Sequence, residues 1–183
     1  MEHPEILYSK EGFEFVKVLK YKYSLKFSIE NPNIILDKII DFSLIKLMYD
    51  LNADIYEKIN IEKINENQAI MTILMKHLFE DLGLPQRFSY VNITKYTDEN
   101  KITFISQSIQ SGRPEGMPID SQQLPLQIMI CNCDILTPHQ ILFTFDISFN
   151  QNMIIPPFAE KMIGLITFKM FNRVKQFIEK IVI

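Results

Sequence analysis

The sequence contains few of the residues that build nucleotide, metal or disulfide sites. Its 183 residues include five glycines, two cysteines, three histidines and no tryptophan. The glycines are scattered, so neither a P-loop nor a dinucleotide-binding fingerprint is present, and there is no G-x-S-x-G elbow for an esterase. Three histidines at unsuitable spacing do not complete a zinc site with the two cysteines. We therefore expect no metal, no cofactor and no catalytic residue.

The charge and the two cysteines bound the partners and the compartment. A net charge of −3 argues against a nucleic-acid partner, which calls for a basic surface. Cys131 and Cys133 are two positions apart in an extended segment, where a disulfide between them would be strained, so two free thiols are expected. The opening residues, MEHPEILYSK, have no apolar signal-peptide region, and charges interrupt the apolar stretch near the C-terminus. These features predict a cytoplasmic, intracellular protein with no transmembrane segment.

The stretch 153–183 is the most regular part of the chain. After Pro156 and Pro157 its apolar residues recur in steps of three and four, which predicts one long α-helix with a wide apolar face. That face is expected to consist of Ala159, Ile163, Ile166, Met170, Val174, Phe177 and Ile181. A helix of this width suits packing across a sheet, or over an apolar ligand that the sheet holds.

Before that helix, most of the chain alternates apolar and polar residues with the period of β-strands. We predict strands at 13–20, 23–30, 55–64, 68–77, 87–96, 101–110, 126–135 and 140–149. Two short helices, at 34–40 and 43–51, interrupt the series after the second of these strands. The order predicts a single α+β domain over residues 1–183, in which a curved antiparallel sheet closes around the long C-terminal helix.

Apolar side chains supply the candidate binding surface. One sheet face and the facing side of the last helix are expected to present Met71, Ile73, Met75, Ile128, Ile130, Phe143, Phe145, Ile147, Ile163, Ile166 and Met170. Methionine suits apolar sites that adapt to the shape of a ligand, because its unbranched thioether repacks easily. The same residues would equally form an ordinary filled core, and composition does not distinguish a filled interior from a hollow one.

Five short segments resemble, in the right order, those of START domains, the steroidogenic-acute-regulatory-related lipid-transfer module. They are EGFEF at 11–15 for the first strand, Tyr49-Asp50 after the paired helices, LPQRF at 84–88, ISQSI at 105–109, and NQNMIIP at 150–156 before the last helix. The resemblance covers nearly the whole chain. It implies a helix-grip fold, within the wider Bet v 1-like superfamily, around a tunnel for one lipid. START domains act as lipid binders or carriers and not as enzymes.

The resemblance therefore implies a protein that transfers a single lipid between membranes, with phospholipid as the first expectation and sterol as the second. Arg87 is the candidate for contact with a lipid head group, because a guanidinium offers paired donors to phosphate. The loop 111–123 and the start of the last helix are the expected lid. Their apolar residues would contact the membrane transiently: Met117, Ile119, Met153, Ile154, Ile155 and Phe158. The alternatives are a cyclase-type enzyme or a protein-interaction domain on the same scaffold, and the sequence does not indicate an oligomeric state.

Overall fold

The structure is a computed structural model that describes residues 4–78, 80–150 and 157–182 of the chain. The strands in this part are β1 (Glu5–Lys10), β2 (Phe13–Leu19), β3 (Lys22–Glu30), β4 (Tyr56–Asn65), β5 (Gln68–Met75), β6 (Arg87–Asp98), β7 (Lys101–Ser108), β8 (Gln122–Gln123), β9 (Leu126–Thr137) and β10 (Gln140–Phe149). The helices are α1 (Phe42–Asp50) and α2 (Pro157–Glu179), with short 3-10 turns at Leu36–Ile39 and Glu80–Leu82.

The strands form one sheet in the order β1-β2-β3-β10-β9-β7-β6-β5-β4, and β8 adds a short parallel pairing to β6. All other neighbours are antiparallel, and β10 joins the first three strands to the later ones by pairing with β3 from Gln140↔Glu30 to Ser148↔Lys22. A sheet of this length twists and curls, and its inner face packs against α2. The predicted fold, a curved antiparallel sheet around a C-terminal helix with two short helical segments after β3, is confirmed.

The buried face of α2 differs from the predicted one. Phe168, Phe171, Val174 and Ile178 are the buried residues of the helix, whereas Phe177 is exposed and Ile163, Ile166 and Met170 lie on a half-buried flank. The prediction for this face was right for Val174, which is buried, and wrong for Phe177, because the apolar stripe is wide enough to allow more than one orientation. Packing against the sheet selects the side that carries the phenylalanines.

A close approach to β2 fixes the orientation of α2. A Cβ atom at Gly164 would lie 3.1 Å from the ring of Phe15, so the absence of a side chain lets the helix pack directly on that ring. The ring of Phe168 then lies edge-on to Phe13, with centroids 5.2 Å apart. Aromatic pairs of this kind add stabilisation beyond their buried area.

Polar contacts hold α2 at both ends. Near its N-terminus, Glu160 accepts hydrogen bonds from Lys17 Nζ at 2.9 Å and from Tyr23 Oη at 2.7 Å. At its C-terminus, the buried Asn31 Nδ2 donates to the carbonyl oxygens of Ile178 at 2.6 Å and Ile181 at 2.9 Å. The Asn31 amide thus supplies donors to carbonyl groups in the last turn, where the regular helical hydrogen bonds end.

Asn31→Ala should destabilise the fold by about 2–3 kcal/mol, because it leaves two helix-end carbonyls without their donor in a buried position. Urea denaturation followed by circular dichroism measures the change in free energy of unfolding. Asn33→Ala, at an exposed position two residues away, is the matched control and should change little. Equal effects of the two substitutions would mean that Asn31 does not anchor the helix.

The Glu160 contacts should make stability depend on pH. Burial acts to raise the pKa of Glu160, but the hydrogen bonds from Lys17 and Tyr23 outweigh it and leave the pKa below its ordinary value. A lowered pKa contributes stability that is complete above the unfolded pKa of about 4.3 and is lost as the pH falls through the folded-state pKa. Wild-type protein should therefore lose more stability on acidification from about pH 6 to about pH 3 than Glu160→Gln does. The urea midpoint at each pH measures the difference.

Glu66→Gln is the control for this experiment, because Glu66 is exposed in the turn between β4 and β5. It should leave the acid sensitivity of the protein unchanged. Identical pH profiles for wild-type protein and Glu160→Gln would show that Glu160 contributes nothing to acid sensitivity.

Candidate functional site

An apolar cavity of about 80 Å³ lies between the inner face of the sheet, α1 and the C-terminal half of α2. Its lining consists of Phe27, Ile29, Ile40, Asp41, Leu44, Ile45, Met48, Tyr49, Met71, Ile93, Phe104, Ser106, Met129, Cys131, Cys133, Phe143, Phe145, Phe171 and Val174. The volume is well below the roughly 300–1,000 Å³ of sites that enclose drug-sized ligands. A whole lipid therefore requires the cavity to expand.

Small side chains on the central strands leave this space. Ser106 of β7 pairs with Met129 of β9, and the next inward positions of β9 are Cys131 and Cys133. Across the cavity, β3 and β10 contribute the larger rings of Phe27, Phe143 and Phe145. The inward side chains of the sheet are thus large where the sheet meets α2 and small opposite α1.

Helix α1 forms one wall of the cavity. Its N-terminus is capped by Asp41, whose carboxylate accepts from the backbone N–H groups of Ser43 at 2.7 Å and Leu44 at 3.4 Å. Below the cap, the inward side of this segment presents Ile40, Leu44, Ile45, Met48 and Tyr49 to the cavity. These residues recur at helical spacing, which was the signal available in the sequence, but none of them was predicted as a site residue.

The polar groups of the lining are mostly neutral. Burial, with a smaller contribution from Tyr56, raises the pKa of Tyr49 well above its ordinary value, so its hydroxyl stays a hydrogen-bond donor. Ser106 is 3% exposed. Neither hydroxyl makes a hydrogen bond to any residue that the structure describes. Tyr49 and Ser106 thus both line the cavity, and their hydroxyl groups have no other partner among the described residues.

Cys131 and Cys133 line the cavity as free, buried thiols with their sulfur atoms 3.7 Å apart. Burial raises the pKa of Cys131, and the neighbouring Cys133 raises it further. Since the thiolate is the reactive form of cysteine, a raised pKa makes the thiol a weak nucleophile. Cys131 therefore acts as a small lining residue rather than as a reactive thiol, and Cys133 lies buried beside it.

The described residues contain no cluster of three or more histidine, cysteine, aspartate or glutamate side chains that would hold a metal. His77 and His139 contact the backbone carbonyls of Leu84 and Ile34 instead of a cavity group. The one carboxylate in the lining, Asp41, is engaged at the helix cap. The lining thus lacks a paired general acid and base.

The structure brings together some of the residues predicted to line the site. Met71, Phe143 and Phe145 border the cavity. Others pack in the surrounding core: Ile73, Ile147, Ile163 and Met170. Met75 and Ile166 are half-buried and lie outside the lining. Whether any of these residues contacts a lipid stays a prediction.

Ile128 and Ile130 were placed on the wrong face of β9. Phe145 pairs with Cys131, whereas Ile130 pairs with Asp146 on the other side of the sheet. Paired residues of an antiparallel sheet share a face, so Ile128 and Ile130 lie on the outer surface. The inward face of β9 belongs instead to Met129, Cys131 and Cys133.

Arg87 lies at the end of the sheet and not in the cavity. It begins β6, and its guanidinium donates from Nη1 to Gln122 Oε1 at 3.0 Å, while burial lowers its pKa. Six positions along the same strand separate it from Ile93, which borders the cavity. At about 3.3 Å per residue that separation is roughly 20 Å.

The loop proposed as a lid is folded against the sheet. Met117 is buried in a small cluster with Leu74 and Phe88, whereas Ile119 is 94% exposed. Arg113 fastens the loop by donating from Nη2 to the carbonyl of Ser121 at 2.8 Å. Met153, Ile154 and Ile155 lie outside the described residues, as does the side chain of Phe158. In the part of the chain that the structure describes, no helix is long and apolar enough to cross a membrane.

No family model and no curated protein matches the chain. Solved structures do. The human StarD13 (DLC2) lipid transfer and protein localization domain superimposes with a TM-score of 0.70 at 12% identity, over 99% of this chain and 91% of that one. Human StAR-related lipid transfer protein 5 superimposes with a TM-score of 0.68 at 9% identity, over 94% of this chain and 85% of that one. The fragment 25–204 of a STAR-related lipid transfer protein from Xanthomonas axonopodis superimposes with a TM-score of 0.67 at 11% identity, over 96% of this chain and 98% of the fragment. The chain therefore has the fold of START domains, as the sequence motifs predicted.

Proposed function

We propose that the protein binds one lipid in the cavity between the sheet, α1 and α2, and carries it between membranes. The observation behind this proposal is an apolar cavity at the centre of a fold shared with lipid-transfer proteins. Each methylene of a lipid tail that enters water costs about 0.8 kcal/mol, and an apolar cavity removes that cost. A lipid tail buried in the cavity would therefore cross the aqueous space between two bilayers without contact with water.

Entry of a lipid requires the lining to rearrange. Met48, Met71 and Met129 border the cavity, and their unbranched side chains change rotamer more easily than β-branched ones. Met48 lies in α1, whereas Met71 and Met129 lie in the sheet, so movable side chains are present on opposite walls of the cavity. We infer that the cavity widens by repacking these methionines and by a shift of α1, which forms a wall.

The lining favours a neutral lipid over a phospholipid. Among the residues that the structure describes, its one charged side chain is the carboxylate of Asp41, which would repel a phosphate, and none is a lysine or arginine. Tyr49 and Ser106 instead offer hydroxyl groups, the partners that a sterol hydroxyl or a lipid carbonyl requires. A sterol or another lipid with a single small polar group is therefore the cargo that this geometry supports best.

A phospholipid is the second candidate. Arg87 lies on the same side of β6 as the inward residues Ser89 and Val91, at the end of the sheet. A phosphate bound there would lie four to six strand positions, roughly 13–20 Å, from the cavity lining at Met71, which pairs with Val91, and Ile93. Only a long acyl tail would bridge that distance.

Filling the cavity should abolish lipid binding. Ser106→Leu places a branched aliphatic side chain in the cavity at a cost of about 1–3 kcal/mol in stability. Native mass spectrometry should show co-purified lipid on wild-type protein and at least a tenfold lower bound fraction on this variant. Gln107→Leu, at the adjacent exposed position of β7, is the matched control and should keep its lipid. Unchanged lipid occupancy in a folded Ser106→Leu protein would contradict binding in this cavity.

The cargo class can be assigned with three further variants. For a sterol-like cargo, Tyr49→Phe and Ser106→Ala should each weaken binding about threefold to tenfold, since each removes one hydrogen bond to the ligand. Arg87→Ala should leave sterol binding unchanged, and only if the cargo is a phospholipid should it sharply reduce phospholipid transfer between vesicles. Transfer assays with fluorescent sterol and fluorescent phospholipid measure both. Sterol transfer that is insensitive to Tyr49→Phe and Ser106→Ala would remove these hydroxyls from the site.

A further inference from the structure

A β-bulge exposes two neighbouring aliphatic side chains at the end of β2. The register of β2 and β3 runs from Lys17↔Tyr23 directly to Leu19↔Lys22, so Val18 has no partner. Regular alternation would turn one of two consecutive residues inward, but a bulge changes the direction of the strand and of its side chains. Val18 and Leu19 are instead 38% and 44% exposed.

Lysines surround this aliphatic pair. The segment 16–23 reads VKVLKYKY and contains three lysines and no acidic residue. Lys17 reaches inward to Glu160, Lys20 lies over the ring of Tyr21 at 5.0 Å, and Lys22 is exposed. The part of this turn from Val18 to Lys22, called here the β2–β3 tip, therefore presents aliphatic groups among positive charges.

The β2–β3 tip lies at the end of the sheet where α2 begins. Tyr21 accepts a backbone hydrogen bond from Phe149 at the end of β10, and Tyr23 contacts Glu160 in the first turns of α2. The loop that carries the exposed Ile119 leaves β7 at the same end, because Asn150 donates to the carbonyl of Pro125 just before β9. The tip and this loop thus belong to one face of the molecule.

We propose that the β2–β3 tip docks the protein on an anionic membrane surface. Aliphatic side chains enter the boundary between head groups and acyl chains, and lysines pair with the negative charge of that surface. Exposed aliphatic residues without nearby cations would not select an anionic bilayer over a protein partner. The lysines of the β2–β3 tip provide charge complementarity to an anionic bilayer, and this favours a membrane as the partner. The purpose of docking rests on the proposed carrier function, but docking itself is measured independently of cargo.

Sedimentation with vesicles tests the proposal. Wild-type protein should bind vesicles of equal parts phosphatidylcholine and phosphatidylserine, and bind phosphatidylcholine vesicles roughly tenfold more weakly. Val18→Ser combined with Leu19→Ser should lower binding to the anionic vesicles roughly tenfold. Lys20→Gln combined with Lys22→Gln should remove most of the preference for phosphatidylserine, and added salt should have the same effect on wild-type protein.

Leu136→Ser combined with Ile64→Ser is the matched control. These two residues are 54% and 55% exposed, in strands that end at the opposite edge of the molecule. The control should bind as wild-type protein does. Equal losses for the tip variant and the control, or no binding of wild-type protein to anionic vesicles, would overturn the proposal. A dimer in solution that the tip substitutions dissociate would also overturn it, by assigning the surface to a second copy.

The lipid content of the same variants separates this proposal from the carrier function. Tip variants that retain their co-purified lipid in native mass spectrometry but bind vesicles weakly support docking at the tip. If wild-type protein docks through the tip and yet carries no lipid, the carrier function fails and docking stands. If it carries lipid and the tip substitutions leave vesicle binding intact, docking at the tip is wrong while the carrier function stands.

Discussion

The packing of aromatic rings between α2 and the first strands is the contact on which the rest of the structure depends. Phe27 lies 4.6 Å from Phe13, 5.2 Å from Phe143 and 5.3 Å from Phe171, measured between ring centroids. These rings fill the space under one half of the sheet and fix the helix there. Under the other half, serine, cysteine and methionine meet α1, and the cavity remains. The hollow site is thus a result of where the large side chains lie.

Hydrogen bonds from polar side chains hold α2 in this position at both ends and in its middle. Arg173 donates to Asn52 Oδ1 at 2.9 Å and to Asp54, while Asn52 Nδ2 donates to the carbonyls of Met48 in α1 and Met170 in α2. Asn52 is fully buried, so its bonds link the end of α1 to the middle of α2. A shift of α1 would consequently turn about this junction, with the N-terminal end of α1 moving furthest. That end borders the cavity through Ile40 and Leu44, while Met48 and Tyr49 border it closer to the junction.

The sequence was sufficient for the strands with period-two patterns and for the long helix, but not for the faces they bury. β1 was not predicted, because this edge strand is exposed over most of its length and carries no alternation. Both sides of β9 are apolar, with Ile128 and Ile130 on one and Met129, Cys131 and Cys133 on the other. Only its pairing with β10 decides which side turns inward. The role of α1 as a wall depends on contacts between distant segments, which local periodicity does not contain.

The small volume of the cavity is compatible with the carrier function proposed above. Side chains around a void lose contacts on one side, so an unoccupied apolar site is unfavourable and contracts as far as its walls allow. The methionines and α1 are the movable parts of this wall, whereas Phe27, Phe143 and Phe171, which also border the cavity, are held by packing of their rings on one another. A ligand would then have to displace the lining side chains that occupy part of the space. A lipid that restores those contacts would stabilise the folded state by mass action, so occupancy and stability should rise together.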